Sequence, residues 1–367
     1  MWRALYDKAI AFRDIACWEW MSDTDVFGVQ NAEDGEIGYC CVLGEMGTVF
    51  GLAVYLGSEG LETYRRIRSG EIRADDAEVR YGQKCLAVWF SNRGELDKSE
   101  LAIAKRLGYN FIGRNVWPQF RSMQPGYCSW HVNESEAKFL THCLDQARLV
   151  ALHLDGDDNG LVAPKKNHYL VRVPSPGHAT GGQGPVGQTA EPGDLASTTK
   201  PLPLPDETET ATDSSWRSEW RQPAPPVKAP LPVFALDKTR LQRIESSGRK
   251  RGGVWEIDAF HSPAPVNGAE RPYFPYTLLC VDHDSGMVLN STLAEPSKWP
   301  GEFPNALLKT IETTMILPSA LWIGGGLPME LFEALALHLD IEALPAKTLP
   351  SLELAKREIL KYLSRRG

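Results

Sequence analysis

The chain has no C-x-x-C pair, no zinc-finger arrangement of cysteines and histidines, no Gly-Lys-Ser/Thr phosphate loop and no apolar run of membrane-spanning length. The first two absences exclude dithiol redox centres and the common structural zinc sites, whose tetrahedral shells need closely spaced thiolate or imidazole donors. The third excludes P-loop nucleotide chemistry. The fourth excludes a transmembrane helix, which takes about 20 consecutive apolar residues. The opening Met1-Trp2-Arg3-Ala4-Leu5-Tyr6-Asp7-Lys8 lacks an apolar core before a small-residue cleavage site, so a secretory leader is not expected. The seven cysteines (Cys17, Cys40, Cys41, Cys85, Cys128, Cys143, Cys280) are an odd set. They read as reduced core residues of a cytoplasmic protein, with Cys40 and Cys41 on opposite faces of a strand.

What is present is an ordinary globular composition. The 367 residues are 43% hydrophobic with a formal net charge of −8, enough chain for a substantial core and long enough to favour two domains. The acidic balance disfavours whole-protein adhesion to nucleic acid or anionic membrane. One stretch runs against it. Between Trp216 and Gly252, Arg217, Arg221, Lys228, Lys238, Arg240, Arg243, Arg249, Lys250 and Arg251 face only Glu219, Asp237 and Glu245. Its default reading is a solvated linker end; Arg249, Lys250 and Arg251 are the residues that would meet nucleic acid otherwise.

Three segments follow from composition: an α+β domain over 1–173, a Pro/Gly-rich disordered linker over 174–232, and an α/β mixed-sheet domain over 233–367. In the linker, runs such as Lys200-Pro-Leu-Pro-Leu-Pro205 cannot bury enough apolar surface to offset their ordering entropy. That run could take polyproline II form. Trp216 and Trp220, four apart among arginines, suggest a short helical turn packed on a domain or a partner-docking motif. In the first domain, alternation predicts strands at 25–30, 38–43 and 49–56 as an antiparallel meander, a helix at 60–69, a strand at 84–91 and helices at 98–107 and 134–154. After the linker come Leu241–Ser246, a strand over 253–260, a hairpin of 276–282 with 287–293, a helix over 305–315, a strand at 320–323, a helix over 328–339, a strand at 341–344 and a final helix over 352–363.

That second order (strand, hairpin, helix, strand, helix, strand, helix) resembles the ribonuclease-H-like fold of retroviral-type integrases and many nucleases. The resemblance implies an aspartate on the first strand and another acid beside the fourth, together holding divalent metals that activate water for phosphodiester cleavage. Asp258, within Trp255-Glu-Ile-Asp-Ala-Phe260, fits the first position. The fourth strand, Ala320-Leu-Trp-Ile-Gly-Gly-Gly326, puts glycine where the acid is expected, leaving Glu312, Glu330 or Glu333 as substitutes. Asp282 and Asp284 flank the hairpin turn, where a carboxylate's ordinary task is local hydrogen bonding.

Other motifs carry less. Gly324-Gly-Gly326 before a helix would suit an anion, but it completes neither a dinucleotide nor a P-loop fingerprint and reads as a tight connection. Asp155-Gly-Asp-Asp-Asn-Gly160 opens like an EF-hand loop but has Lys166 at the twelfth position and Pro164 inside, so a surface turn is expected. His131, His142 and His153 recur every eleven residues without a metal pattern. Trp18-Glu-Trp-Met-Ser-Asp-Thr-Asp-Val-Phe-Gly-Val29, Gly51-Leu-Ala-Val-Tyr-Leu-Gly-Ser-Glu-Gly-Leu61, Pro272-Tyr-Phe-Pro275 and Val281-Asp-His-Asp-Ser-Gly286 resemble a two-domain bacterial family of unknown function, across both halves.

These readings converge on a cytoplasmic, non-enzymatic binding or interaction protein with a protein partner, no cofactor and no membrane contact. The alternatives are a divalent-metal nuclease using Asp258 and Asp282 with Glu312, Glu330 or Glu333 and requiring Mg²⁺ or Mn²⁺, and a nucleic-acid-binding module using segment 217–251. The nuclease alternative demands that its carboxylates converge on one face of the sheet.

Overall fold

A computed structural model describes residues 1–73, 76–155, 161–175, 215–226 and 237–364. Its helices are Trp2–Ile15 (α1), Gly57–Arg68 (α2), Ala77–Gly82 (α3), Lys98–Leu107 (α4), Glu134–Leu154 (α5), Lys238–Ser246 (α6), Trp299–Thr314 (α7), Glu330–His338 (α8) and Pro350–Ser364 (α9). Strands β1 to β7 are Phe27–Gln30, Ile37–Leu43, Gly51–Leu56, Cys85–Ser91, Trp117–Met123, Tyr169–Pro174 and Trp216–Arg221. Strands β8 to β14 are Lys250–Arg251, Val254–His261, Tyr276–Asp282, Val288–Ala294, Ile316–Leu317, Ala320–Ile323 and Glu342–Pro345. Both units are mixed α/β structure, each on its own mixed sheet.

The first unit comprises Met1–Ser69, Lys84–Ser122 and the described residues of His131–Val227. Its sheet has the order β5-β4-β3-β2-β1-β6-β7. Strands β1 to β3 form the antiparallel meander that the alternation predicts; β4 extends it antiparallel to β3, and β6 joins β1 in parallel. Alternate residues Phe27, Val29, Cys40, Val42, Leu52, Val54, Leu86, Val88 and Phe90 enter one core with α1 and α5. Helix α5 starts at Asn133, whose side chain accepts from the Glu136 amide while Glu136 reaches back to the Asn133 amide. Its buried Ala137, Leu140, Cys143, Leu144, Ala147 and Ala151 then lie on the face towards the sheet. Helix α4 is fixed the same way, by Asp97 with Glu100 at its start and Gly108 in the left-handed region (φ 84°) at its end.

Besides β6, three elements of this unit lie where no strand or helix is expected from sequence. Helix α1 buries Leu5, Ala9 and Phe12 on one face of an otherwise charged segment. Strand β5 contains Pro118, which argues against a strand except at a sheet edge, and β5 is an edge. The third is a correction. The linker expected over 174–232 contains β7, which pairs antiparallel with β6 from Tyr169↔Arg221 to Pro174↔Trp216. Trp216 and Trp220 do pack on a domain, but from one face of a strand and not from a helical turn. Residues 176–214 and 227–236, including Lys200–Pro205, lie outside the described residues, as do 156–160 of the EF-hand-like loop.

The second unit comprises Gly70–Gln83, Met123–Trp130 and the described residues of Lys228–Gly367, so it draws on more than 233–367. Cys128 N–H donates to the Pro272 carbonyl at 3.0 Å, Phe274 N–H to Gly126 at 2.8 Å, and Gly126 N–H to Tyr81 at 2.7 Å. The Tyr81 ring lies 4.9 Å from His261 and 4.8 Å from Phe274. The sheet order is β11-β10-β9-β13-β14, with β10 antiparallel to both neighbours and β9, β13 and β14 parallel. Trp255, Ile257 and Ala259 of β9 pack into a core with α6, α7 and α8; Phe260 packs on the opposite face with Leu279, Val281, Leu349 and Leu352 under α9. Among the described residues no helix is long and apolar enough to cross a membrane.

Leu144 has no exposed surface and packs in the first core. Leu144→Ala removes packed methyl groups and leaves a cavity, so it should cost about 2–5 kcal/mol. Urea unfolding checks this: the midpoint should fall with little change in slope.

Candidate functional site

Side chains alternate along β9, so Glu256, Asp258 and Phe260 face α9 while Trp255, Ile257 and Ala259 face α7 and α8. Strand β13 runs parallel beside β9, pairing Trp322 with Glu256 and Ile323 with Ile257. The Gly324 amide donates to the Ile257 carbonyl at 2.9 Å, so position 324 continues that pairing beside Asp258. A Cβ there would lie 2.4 Å from Asp258 Cγ; one at 326 would lie 2.7 Å from Asp258 Oδ1 and 2.2 Å from the Ala259 carbonyl oxygen. These positions are glycine because the carboxylate and the backbone fill the space.

The loop answers the carboxylate with donors. Asp258 Oδ1 accepts from the Ala259 amide at 2.8 Å and the Gly326 amide at 2.9 Å. The Tyr276 hydroxyl donates to the Gly326 carbonyl, fixing the loop from its other side. The anion that the glycine loop attracts is thus the chain's own. Burial pushes the Asp258 carboxyl above its usual range; the two amides and Lys356 oppose that, and Glu353 adds to it. Tyr276 is pushed up to about 12, by burial first and then by the Asp258 charge. Lys356 also lies 4.6 Å from the Phe260 ring centroid.

The other acids do not join Asp258. Asp282 pairs with Trp255 across the sheet and so leaves on the α7–α8 face, whereas Asp258 pairs with Leu279 and leaves on the α9 face. Asp282 Oδ1 accepts from the Ser285 amide at 2.9 Å and the Ser285 hydroxyl at 2.6 Å, the turn role its position suggests. Glu312 lies on α7 and is held by Arg240 through two bonds of 2.8 Å, a fork that keeps its carboxyl below the ordinary range. Glu330 and Glu333 are exposed in the first turn of α8, where the helix dipole favours acids.

The basic segment is divided between the two units. Arg217 and Arg221 grip Glu219 at 2.5 Å and 2.7 Å. Arg249 donates to the carbonyls of Ile244 (2.8 Å) and Ile311 (3.4 Å), near the ends of α6 and α7. Arg251 donates to the carbonyls of Leu339 (3.0 Å) and Asp340 at the end of α8. Both guanidiniums thus bring positive charge to carbonyls near helix C-termini, the negative pole of the dipole. Lys250 between them is exposed.

Two further constellations were not singled out from sequence. Glu256, with no exposed surface, accepts from His283 Nδ1 at 2.6 Å and from the Leu352 amide in the first turn of α9 at 2.7 Å. The His283 ring lies 4.5 Å from Trp322. In the first unit, Asp97, Glu100 and His131 bring one ligand atom each within 4.8 Å of one another. Glu100 is already held there by Arg121, Gln119 Nε2 (3.3 Å) and the Asp97 amide (2.9 Å). Burial works against Asp97, yet Ser99 and the Glu100 amide, with His131, hold its carboxyl below the usual range. The cysteines offer no nucleophile: six of seven are buried, and burial pushes Cys17 and Cys85 up to about 12. Glu353 and Lys356 could be placed near Asp258 only by the packing of α9, which no local motif announces.

Residues 2–172 match the family described as Domain of unknown function (DUF7309), and residues 240–360 that described as Domain of unknown function (DUF6930). The chain is a two-domain protein of unknown function. No curated protein matches it. Among solved structures, it is similar to a chain in the cryo-EM structure of the simian T-cell lymphotropic virus intasome in complex with PP2A regulatory subunit B56 gamma. That similarity has 21% identity and a TM-score of 0.24, and covers 34% of this chain and 45% of that one. This chain therefore spans less than half of that chain's length, and so low a score carries no argument about fold or function.

Two outcomes follow. Glu256→Ala leaves His283 and the Leu352 amide without their shared acceptor inside the fold and should cost about 3–5 kcal/mol in chemical denaturation. For Asp258, the folded carboxyl lies above its unfolded value, so the native state holds the extra proton and wild-type stability falls as pH rises from about 4 through the folded pKa. Asp258→Asn keeps an acceptor for both amides and lacks this fall. Urea midpoints from pH 3.5 to 8 should show the variant gaining on wild type as pH rises, then a constant difference.

Proposed function

We propose that the chain is a non-enzymatic binding protein whose second unit is a ribonuclease-H-like domain with its metal position closed. The observation that carries this is the contact of Gly324 with Asp258: the place beside the first-strand aspartate has no room for a second carboxylate. The fold part is supported by the antiparallel β9, β10 and β11 with β13 and β14 parallel to β9, an arrangement that agrees with the order read from sequence.

Several features favour a protein partner over nucleic acid or metal chemistry. Asp258 and Asp282 leave opposite faces of the sheet, and shared magnesium needs oxygens about 2.0–2.1 Å from one ion. Arg249 and Arg251 are committed to helix carbonyls, which removes two of the three cations on which a nucleic-acid patch would rest. Seven unpaired cysteines favour a reducing, cytoplasmic setting.

Calorimetric titration of the full chain with Mg²⁺ and Mn²⁺, beside Asp258→Asn, tests the reading. The full chain is needed because Gly70–Gln83 and Met123–Trp130 belong to the second unit. No saturable heat in either protein is expected. Saturable binding to wild type that disappears in Asp258→Asn, together with cleavage of single- or double-stranded DNA or RNA, would overturn it.

A further inference from the structure

Strand β7 is joined to its partner in an unusual way. Antiparallel neighbours normally follow one another through loops of about 2–5 residues, yet residues 175–215 separate β6 from β7. The pairing of Trp216–Arg221 with β6 is therefore not set by a connection of that length. The family match to the first half also ends at residue 172, inside β6 and before β7. Without β7, β6 would be the edge of the sheet.

What holds β7 is its side-chain chemistry. Trp216, Ser218 and Trp220 alternate onto the α5 face, and both indoles pack partly buried against the core, Trp216 with its ring 5.8 Å from His142. Between them, Ser218 Oγ accepts from Arg172 Nη1 at 2.8 Å, while Arg172 Nε donates to Gln146 Oε1 on α5 at 2.8 Å. Arg217, Glu219 and Arg221 alternate onto the other face and pair with one another. No residue of β7 is fully buried, whereas β1 to β6 each bury several. Few buried contacts and an edge position put a strand at the low end of local stability.

We propose that the edge of β6 is a strand-accepting groove and that Trp216–Arg221 is its ligand in cis, exchangeable for an extended segment of a partner protein. That segment carries two aromatic residues four apart with a hydrogen-bond acceptor midway, the pattern aromatic-x-Ser-x-aromatic. The ladder of β6 supplies affinity for any extended chain; the two indole sites and Arg172 supply the selection. This rests on the reading of the chain as a binding protein and names its surface. The metal titration addresses Asp258 alone, so the two readings fail separately.

The test uses the full chain and a fluorescein-labelled peptide of residues 213–223, followed by anisotropy. In Trp216→Ala/Trp220→Ala the cis strand loses both anchors, and the peptide should bind saturably. Wild type should bind at least about tenfold more weakly, because a tethered strand competes at an effective concentration of about millimolar order. Peptides carrying Trp220→Ala or Ser218→Val should lose most of the binding. Equal binding to both proteins, or none by a double variant that keeps the wild-type circular dichroism, overturns the proposal. Should the double variant not fold, hydrogen exchange on wild type decides: β7 amides should exchange at least about tenfold faster than those of β2 and β3. Uniform protection across the sheet overturns it.

Discussion

Glu256 sits without solvent exposure on the central strand of the second sheet, and a carboxylate there is tolerable only while every lone pair that matters is met. It is met from two directions, by the His283 imidazole at the β10–β11 turn and by the Leu352 amide in the first turn of α9. One buried group therefore links the strand, the hairpin turn and the helix that covers this face. The Ser351 hydroxyl adds a bond to the His283 carbonyl at 2.8 Å, so α9 is tied to the turn twice. The placement of α9 then shapes the electrostatics of Asp258, because the charges of Glu353 and Lys356 on the same helix act on its carboxyl.

Asp258 takes its local task from the loop beside it, whose Gly326 amide donates to Oδ1 at 2.9 Å. The glycine loop folds onto the carboxylate so closely that a single methyl at 324 would overlap it. A carboxylate enclosed in this way holds the strand-to-helix connection before α8 through the Ala259 and Gly326 amides. The arginines at 249 and 251 follow the same logic with opposite sign. Each brings positive charge to carbonyls at a helix C-terminus, the end at which the dipole favours it.

The first unit has its least buried strand at an edge. Its central strands bury alternate residues against α1 and α5, while β5 with Pro118 and the sparsely buried β7 form the two borders. Edges are where a sheet can gain or lose a strand, since an edge has unpaired amides and carbonyls on one side. In β7 the chain fills one such edge with a segment whose composition, Trp-Arg-Ser-Glu-Trp-Arg, belongs to no ordinary core strand.

Much of the fold was legible because it is local. The periods of α4 and α5, the hairpin of β10 and β11 and the short strand β13 lie at or near their expected positions, since capping residues and alternation act over a few residues. Strands β5 and β7 were not legible: Pro118 and the charged Trp216–Arg221 violate strand patterns that edges relax. Asp258 was visible as a lone acid on a strand. Its surroundings were not, because the Gly326 amide comes to it through strand register and the charges of Glu353 and Lys356 act on it through the packing of α9. The sequence by itself determined the two modules, the periods of α4 and α5 and the absence of an acid at 324. Only the tertiary structure decided that the glycines are there to accommodate Asp258, that Asp282 faces away from it, and that Glu256 needs His283 and α9. Propensities are set by neighbours in the chain, whereas convergence of side chains is set by which face each strand presents.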